Sequence, residues 1–267
     1  MISRYKYLSV YLNLLHKEGD RFMCKTVKRG YCPEDEKEFN TESVEKMRKA
    51  AQDICYLINN GYQIKGASVF VGNHYLLSER QRLALVRSVS SDMNLKNRRE
   101  KEITGDLQGK TVNIDGFNTI ITLEVACSDS LLLKCMDGTI RDLAALRGSY
   151  RLIDKTESAI MYIGEELEKS KIDKAIFYLD APVSNSGKLK QRIIELLSVF
   201  HYEVQVNVIN NVDSVLEKLD NVITSDAIIL DKCISWINLT RRIMEEKKRG
   251  YPYVELNLAK RGETSNG

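Results

Sequence analysis

The sequence predicts an α/β protein, a parallel-sheet α/β/α sandwich preceded by a small helical domain. In residues 111–250 short β-branched runs alternate with helical patterns, which is typical of a parallel sheet covered on both faces. In residues 1–95 the apolar residues recur at helical spacing instead. A polar, glycine-containing stretch at 96–110 is expected to link the two domains, and 251–267 to form a C-terminal tail.

The composition is that of an ordinary soluble protein. The chain has 267 residues, of which 43% are hydrophobic and 29% charged, enough for one large domain or two smaller ones. No apolar run reaches the roughly 18 residues of a membrane helix, and the basic, apolar beginning indicates an amphipathic helix rather than a signal peptide. Six cysteines without a CxxC pair are typical of reduced thiols, so we expect a cytoplasmic protein.

The first helices of the helical domain have recognisable capping residues. Asn40 or Thr41 is expected to begin a helix that ends near Gly61. Ser78 and Gln81 have the spacing of a capping box, which predicts a second helix.

The charges differ between the two predicted domains. Residues 1–110 carry 20 Lys and Arg against 14 Asp and Glu, a net charge of +6, whereas residues 111–267 have a net charge of −3. A basic part beside an acidic part is compatible with a nucleic-acid-binding module joined to a metal-binding one. The alternative is a solvated helical surface without a specific partner.

Strands and helices alternate along the second domain. The predicted strands are 111–114, 131–135, 174–179, 203–209 and 221–224, and the predicted helices are 118–127, 154–170, 187–200, 213–219 and 233–248. Ligands of such sheets bind at the carboxyl ends of the strands, so the residues that follow each strand are the candidates for a site.

Two of these strands are followed directly by an aspartate, Asp115 or Asp180, and strand 221–224 is followed by Ser225 and Asp226. A fourth strand, 203–209, is followed by two asparagines and then Asp213. Neighbouring strands lie about 5 Å apart, so the carboxylates are expected to converge. Converging carboxylates repel one another unless a cation lies among them or one takes up a proton, and oxygen ligands favour Mg²⁺ or Mn²⁺. Helix capping is the alternative role of each aspartate.

Two motifs around these aspartates resemble those of PIN-like nucleases, in particular the NYN branch. "NIDGFN", from Asn113 to Asn118, is similar to the first motif of that fold, and "VITSDAIIL", from Val222 to Leu230, is similar to its late motif. The whole chain also resembles a mainly archaeal, uncharacterised family catalogued as domain of unknown function 434.

The nuclease resemblance implies a catalytic set. Asp115, Asp180 and Asp226 would bind the metal ion, and Asn118 would orient a metal-bound water or a phosphate oxygen. Two departures stand out: the second acid of the late motif is replaced by Ile228, and no clear helical acid follows the first strand. The further candidate acids are Glu124, Asp137, Asp142 and Asp231.

Phosphate contacts are expected at three places. Ser184, Asn185, Ser186, Gly187 and Lys188 begin a helix whose exposed amides would attract an anion, although the segment lacks the pattern of a Walker loop. The arginines with a geometry suited to phosphate are Arg141, Arg147, Arg80 and Arg82. Helix capping and solvent-facing arginines are the alternatives.

We therefore expect a PIN-like, Mg²⁺- or Mn²⁺-dependent phosphodiesterase that hydrolyses RNA. The expected partner is nucleic acid, with RNA favoured and no membrane, and a homodimer is left open. A non-catalytic RNA- or nucleotide-binding module on a degenerate PIN-like fold is the second hypothesis, and a protein-interaction scaffold is the third.

Overall fold

The computed structural model describes residues 27–144 and 148–256. Its helices are α1 (Asp35–Glu38), α2 (Thr41–Asn59), α3 (Ile64–His74), α4 (Glu79–Ser88), α5 (Asp92–Lys101), α6 (Gly116–Cys127), α7 (Thr156–Lys169), α8 (Ser186–Leu197), α9 (Val212–Leu216), α10 (Ala227–Lys232) and α11 (Leu239–Lys247). Its strands are β1 (Thr111–Asp115), β2 (Leu132–Lys134), β3 (Ile140–Asp142), β4 (Lys174–Asp180), β5 (Glu203–Ile209), β6 (Val222–Ile223) and β7 (Val254–Glu255).

The main sheet has four strands in the order β5-β4-β1-β6, and every pair is parallel. One face of the sheet buries Val112, Ile114 and Phe177 against helices α6, α7 and α8. On the other face Tyr178 packs on a smaller cluster that contains Trp236 and residues of α9 and α10. Helices therefore cover both faces, as the alternating pattern predicts, and all four strands present their carboxyl ends at one edge.

The second predicted strand does not belong to this sheet. Strand β2 instead pairs with β3 and β7 in a separate three-stranded sheet. Leu132 of β2 packs into the core of the main sheet, whereas Leu133 packs into the core of the helical region. Successive strand residues point to opposite faces, so this small sheet joins the two parts of the molecule.

The boundaries predicted at 96–110 and 251–267 are corrected. Helix α5 runs through the first part of the predicted linker as far as Lys101, and its Arg98 is buried. Strand β7 lies within the predicted tail, and Leu256 is part of the helical core. Residues 257–267 and the predicted helix at the beginning of the chain lie outside the described residues.

The predicted helix 233–248 forms only over α11, Leu239–Lys247, and its first part is an extended segment that follows α10. Trp236, buried in that segment, forms a parallel bridge with Val222 of β6. The indole nitrogen also donates to the carbonyl of Arg98 at 2.8 Å. A buried tryptophan bonded to two other elements holds the backbone extended, which a helical pattern in the sequence does not reveal.

The helix starts predicted in the N-terminal region are confirmed. Asn40 caps α2 by accepting from the Ser43 N–H at 2.9 Å. Ser78 and Gln81 form the capping box of α4.

In the described parts of the chain every helix is too short or too polar to span a bilayer.

Candidate active site at the carboxyl edge of the sheet

Asp115 ends β1 and caps α6 at the centre of the sheet edge. It is 7% exposed, and its Oδ1 accepts the Asn118 N–H at 3.4 Å. Its Oδ2 accepts from the Thr224 hydroxyl at 2.8 Å. The aspartate caps its helix, as the alternative reading of the sequence has it, and one of its oxygens is also held by the neighbouring strand.

The loop after β6 fixes Asn118 against Asp115. The Oδ1 of Asn118 accepts both the backbone N–H and the hydroxyl of Ser225, each at 2.8 Å. The N–H of Asp226 donates to the Thr224 hydroxyl at 3.0 Å, and Asp226 Oδ1 caps α10 by accepting from Ile228. The "NIDGFN" and "TSD" segments therefore meet as one hydrogen-bonded unit.

The strand ends bring four carboxylates within electrostatic range of one another. We call Asp115, Asp180, Asp213 and Asp226 the edge carboxylates. Burial, together with the charges of Asp226 and Asp213 and against the Thr224 hydrogen bond, raises the pKa of Asp115 to about 7. Burial also raises the pKa of Asp180, and burial together with Asp226 and Asp180 raises the pKa of Asp213.

None of the edge carboxylates forms an ion pair with a described Lys or Arg. Their side chains are also not gathered: within residues 27–144 and 148–256, no three His, Cys, Asp or Glu side chains are close enough together to bind a metal ion as they stand. The edge is thus a set of mutually repelling acids without direct ion pairs around one deeply buried carboxylate, while Arg141 and Lys232 attract Asp226 and Asp213 from a greater distance.

The other candidate acids, which we call the paired acids, all contact arginine. Glu124 is fully buried, and its Oε2 accepts from Arg29 Nε at 2.9 Å. Tyr150 and Thr156 donate to its Oε1. Glu124 lies about 12 Å along α6 from the helix start at a rise of 1.5 Å per residue, so it is a structural anchor away from the edge.

Asp137, Asp142 and Asp231 are likewise held by arginines. Asp137 Oδ2 accepts from Arg98 at 2.6 Å and from Arg141 at 2.5 Å. Arg98 also donates to Asp231 Oδ1 at 2.7 Å. Asp142 accepts from the Thr122 hydroxyl at 2.8 Å and lies 3.5 Å from Arg87. These three acids contact arginines in the structure, so their carboxylates already have positively charged partners.

Most of the predicted phosphate-binding residues have partners inside the protein. The Ser184 hydroxyl and the Asn185 amide both donate to the carbonyl of Tyr150. Ser186, Gly187 and Lys188 form the first turn of α8, with Ser186 buried and Lys188 exposed. The segment thus orders the chain around Tyr150, and an exposed first turn remains available to an anion.

Three of the four arginines predicted to contact phosphate also have partners inside the protein. Arg80 pairs with Asp35 and also donates to the carbonyls of Leu143 and Gly30. Arg82 donates to the carbonyl of Leu77 and to Asn73. Arg141 is buried and donates to Asp137 and to the carbonyls of Ser225 and Arg87, and Arg147 lies outside the described residues. The guanidinium groups of Arg80, Arg82 and Arg141 thus hydrogen-bond carbonyl groups and side chains of the protein itself. The spacing of residues in the sequence does not reveal these partners.

Sequence reasoning gave no role in the site to three residues of the edge. Asp213 lies beyond β5, and Asn210, Asn211 and Val212 separate it from the strand. Thr224 and Ser225 were considered only as part of the "VITSDAIIL" motif, although their side chain and backbone donate hydrogen bonds to Asp115 and Asn118, respectively. A serine or threonine directly before a strand-end aspartate is the signal that could have identified them.

Two family models match the chain, one on each part. Residues 104–242 match the model described as Domain of unknown function (DUF5616), and residues 46–101 match the one described as Protein of unknown function (DUF434). The family expected from the sequence is thus found in the helical part, and a second one covers the sheet. The PIN-like resemblance is not among these matches.

One curated relative is similar to most of the chain. It is an uncharacterized protein of Methanocaldococcus jannaschii, 38% identical over 185 residues, which is 69% of this chain and 88% of the relative. No solved structure matches the chain.

Proposed function

The chain belongs to the family described as Domain of unknown function (DUF5616), and we propose that this member is a PIN-like, metal-dependent phosphodiesterase that hydrolyses RNA. One observation carries the proposal. The structure separates eight candidate acids into four that contact arginines and four, at the carboxyl edge of the sheet, that do not. Uncompensated carboxylates at such an edge are the expected environment of a bound cation.

The residues at the edge fit a hard divalent ion. Their donor atoms are carboxylate and hydroxyl oxygens without His or Cys, which favours Mg²⁺ or Mn²⁺ over zinc. Such an ion would polarise a phosphoryl oxygen and lower the pKa of a bound water. Asp115 would bind it first, because its carboxylate is buried and held in place by Thr224.

Asp180, Asp213 and Asp226 would complete the site by side-chain rotation. Asp180 and Asp226 are half-buried and Asp213 is exposed, so these carboxylates have room to turn towards Asp115. Asp226 holds α10 with Oδ1, which leaves its other oxygen for the ion. RNA would approach from the solvent side of the edge, where these groups are accessible.

The first test is a calorimetric titration of Mn²⁺ into the wild type and into Asp115→Asn, with Asp231→Asn as the matched control. We expect binding in the wild type and in Asp231→Asn, and a loss of at least tenfold in affinity in Asp115→Asn. A screen with single-stranded RNA then measures Mn²⁺-dependent cleavage in the same three proteins. Cleavage that survives Asp115→Asn unchanged would show that the assignment is wrong.

A non-catalytic RNA- or nucleotide-binding module is the second candidate. It is favoured by Ile228, which is 59% exposed where PIN-like late motifs carry a further acid. This candidate predicts RNA affinity that falls as salt rises, with no turnover at any Mn²⁺ concentration. A scaffold would show neither metal nor RNA binding.

A further inference from the structure

The orientation of the Asn118 carboxamide is fixed by a backbone donor. Ser225 N–H lies 2.8 Å from the atom assigned as Asn118 Oδ1. A backbone N–H only donates, so the side-chain atom that faces it must be the oxygen. The Ser225 hydroxyl donates to the same oxygen at 2.8 Å. Reversing the amide would place an NH₂ group against an N–H, so this orientation is the one that the neighbours permit.

This orientation leaves the Asn118 NH₂ group for a ligand. The two lone pairs of Oδ1 are used by Ser225, and Nδ2 has no hydrogen-bond partner in the described parts of the chain. Asn118 is partly exposed and lies one turn from Asp115 at the start of α6. A pair of N–H donors therefore lies beside the edge carboxylates.

Arg141 holds the Ser225 peptide from the interior of the protein. Its Nε donates to the Ser225 carbonyl at 2.6 Å, and its guanidinium is held by Asp137, which also binds Arg98. Arg141 and Asp137 are both buried, with side-chain exposures of 7% and 1%. The buried ion-pair network thus anchors Ser225 through its carbonyl, and the N–H of the same residue holds the Asn118 amide.

We propose that Asn118 is a substrate-binding donor whose Nδ2 hydrogen-bonds a non-bridging oxygen of the RNA phosphate, and that Arg141 is its positioning residue through Ser225. The inference rests on the proposed function, because the edge carboxylates repel a phosphate that arrives without a cation. A phosphate oxygen only accepts hydrogen bonds, so it matches an NH₂ group and would not match the amide oxygen.

Asn118→Asp separates this role from a structural one. The aspartate keeps an oxygen that accepts from Ser225, and it replaces the NH₂ donor with a second, negatively charged acceptor. The probe is uridine 5′-monophosphate, titrated calorimetrically at saturating Mn²⁺, because it carries a phosphate and has no phosphodiester to cleave. We expect its affinity to fall about 10- to 100-fold, the range for a lost hydrogen bond to a charged group, while Mn²⁺ affinity stays equal or becomes tighter.

Two further variants make the test specific. Ser225→Ala removes only the hydroxyl and keeps the backbone N–H that sets the amide orientation, so affinity for uridine 5′-monophosphate should fall less than in Asn118→Asp. Arg141→Lys should weaken this binding in the wild type but not in the Asn118→Asp background, because both changes act on one hydrogen bond. A merely structural Arg141 would weaken binding equally in both backgrounds.

The outcomes separate this inference from the proposed function. Wild-type protein that binds neither Mn²⁺ nor uridine 5′-monophosphate overturns both. If the wild type binds both and Asn118→Asp binds the nucleotide within twofold of it, the NH₂ contact is wrong and the metal site stands. An Asn118→Asp variant that loses Mn²⁺ instead would show that Asn118 acts on the metal rather than on the phosphate.

Discussion

Asp115 and Asp137 are both buried carboxylates, and their surroundings shift their pKa values in opposite directions. At Asp137 burial raises the pKa, but Arg141 and Arg98 outweigh burial and hold the pKa of that carboxyl below its usual value. At Asp115 no arginine compensates for burial, and the pKa rises to about 7. Burial alone therefore does not identify a candidate site acid, whereas burial without a counter-charge does.

The comparison predicts that the largest loss of stability comes from the paired acids. Asp137→Asn leaves Arg98 and Arg141 buried without their shared carboxylate, so the free energy of unfolding should fall by about 3–5 kcal/mol. Chemical denaturation measures it, with Asp231→Asn as control. Asp231 is one-third exposed, so its loss should cost about 1 kcal/mol or less. Equal losses at the two positions would contradict the comparison.

In metal-free protein, replacing Asp115 is expected to raise the free energy of unfolding rather than lower it. Its folded pKa of about 7 lies above the ordinary value of 3.8, so the fold favours the protonated acid, and stability is lost as pH rises from about 4 to 7. Asn cannot ionise, so Asp115→Asn should be more stable than the wild type at pH 8 by up to about 4 kcal/mol. Denaturation in EDTA from pH 5 to pH 8 checks this, and the difference should shrink as pH falls.

A bound metal ion should offset the loss of stability that ionised Asp115 causes at pH 8. At pH 8 a Mn²⁺ concentration of 100 times Kd should stabilise the wild type by about 2.7 kcal/mol. Removing the ion with EDTA should reverse the shift in Tm. Asp115→Asn should show no comparable shift, whereas Asp231→Asn should respond like the wild type. A shift of the same size in Asp115→Asn would place the ion elsewhere.

The smallest expected effect concerns Asp226, whose structural role is to cap α10. Asp226→Ala should lower the free energy of unfolding by about 1 kcal/mol, because the N–H groups of Ile228 and Ile229 lose their acceptor. Asp226→Asn keeps an acceptor oxygen and should change stability by a few tenths of a kcal/mol. Both variants should weaken Mn²⁺ binding in a calorimetric titration. Because only Asp226→Ala should also lower stability appreciably, the two measurements distinguish the capping role of Asp226 from its role as a metal ligand.

The local features of this protein were predictable because short-range chemistry produces them. The Asn40 cap and the Ser78 capping box need residues only three positions apart. The carboxyl-edge position of Asp115, Asp180 and Asp226 follows from the period of the strands and the parallel sheet. The placement of β2 in a second sheet was not predictable, because a three-residue apolar strand does not specify its partners.

The sequence by itself determined the helix caps, the parallel main sheet and the acids at its edge. Only the tertiary structure decided which acids lack an ion pair, because most of the arginines that pair with the others come from distant positions, Arg141 beside Asp137 being the local exception. Arg29 lies 95 residues from Glu124, and Arg98 lies 133 residues from Asp231. Ion pairs depend on distance in space and on burial, and neither is encoded in the local spacing that a sequence displays.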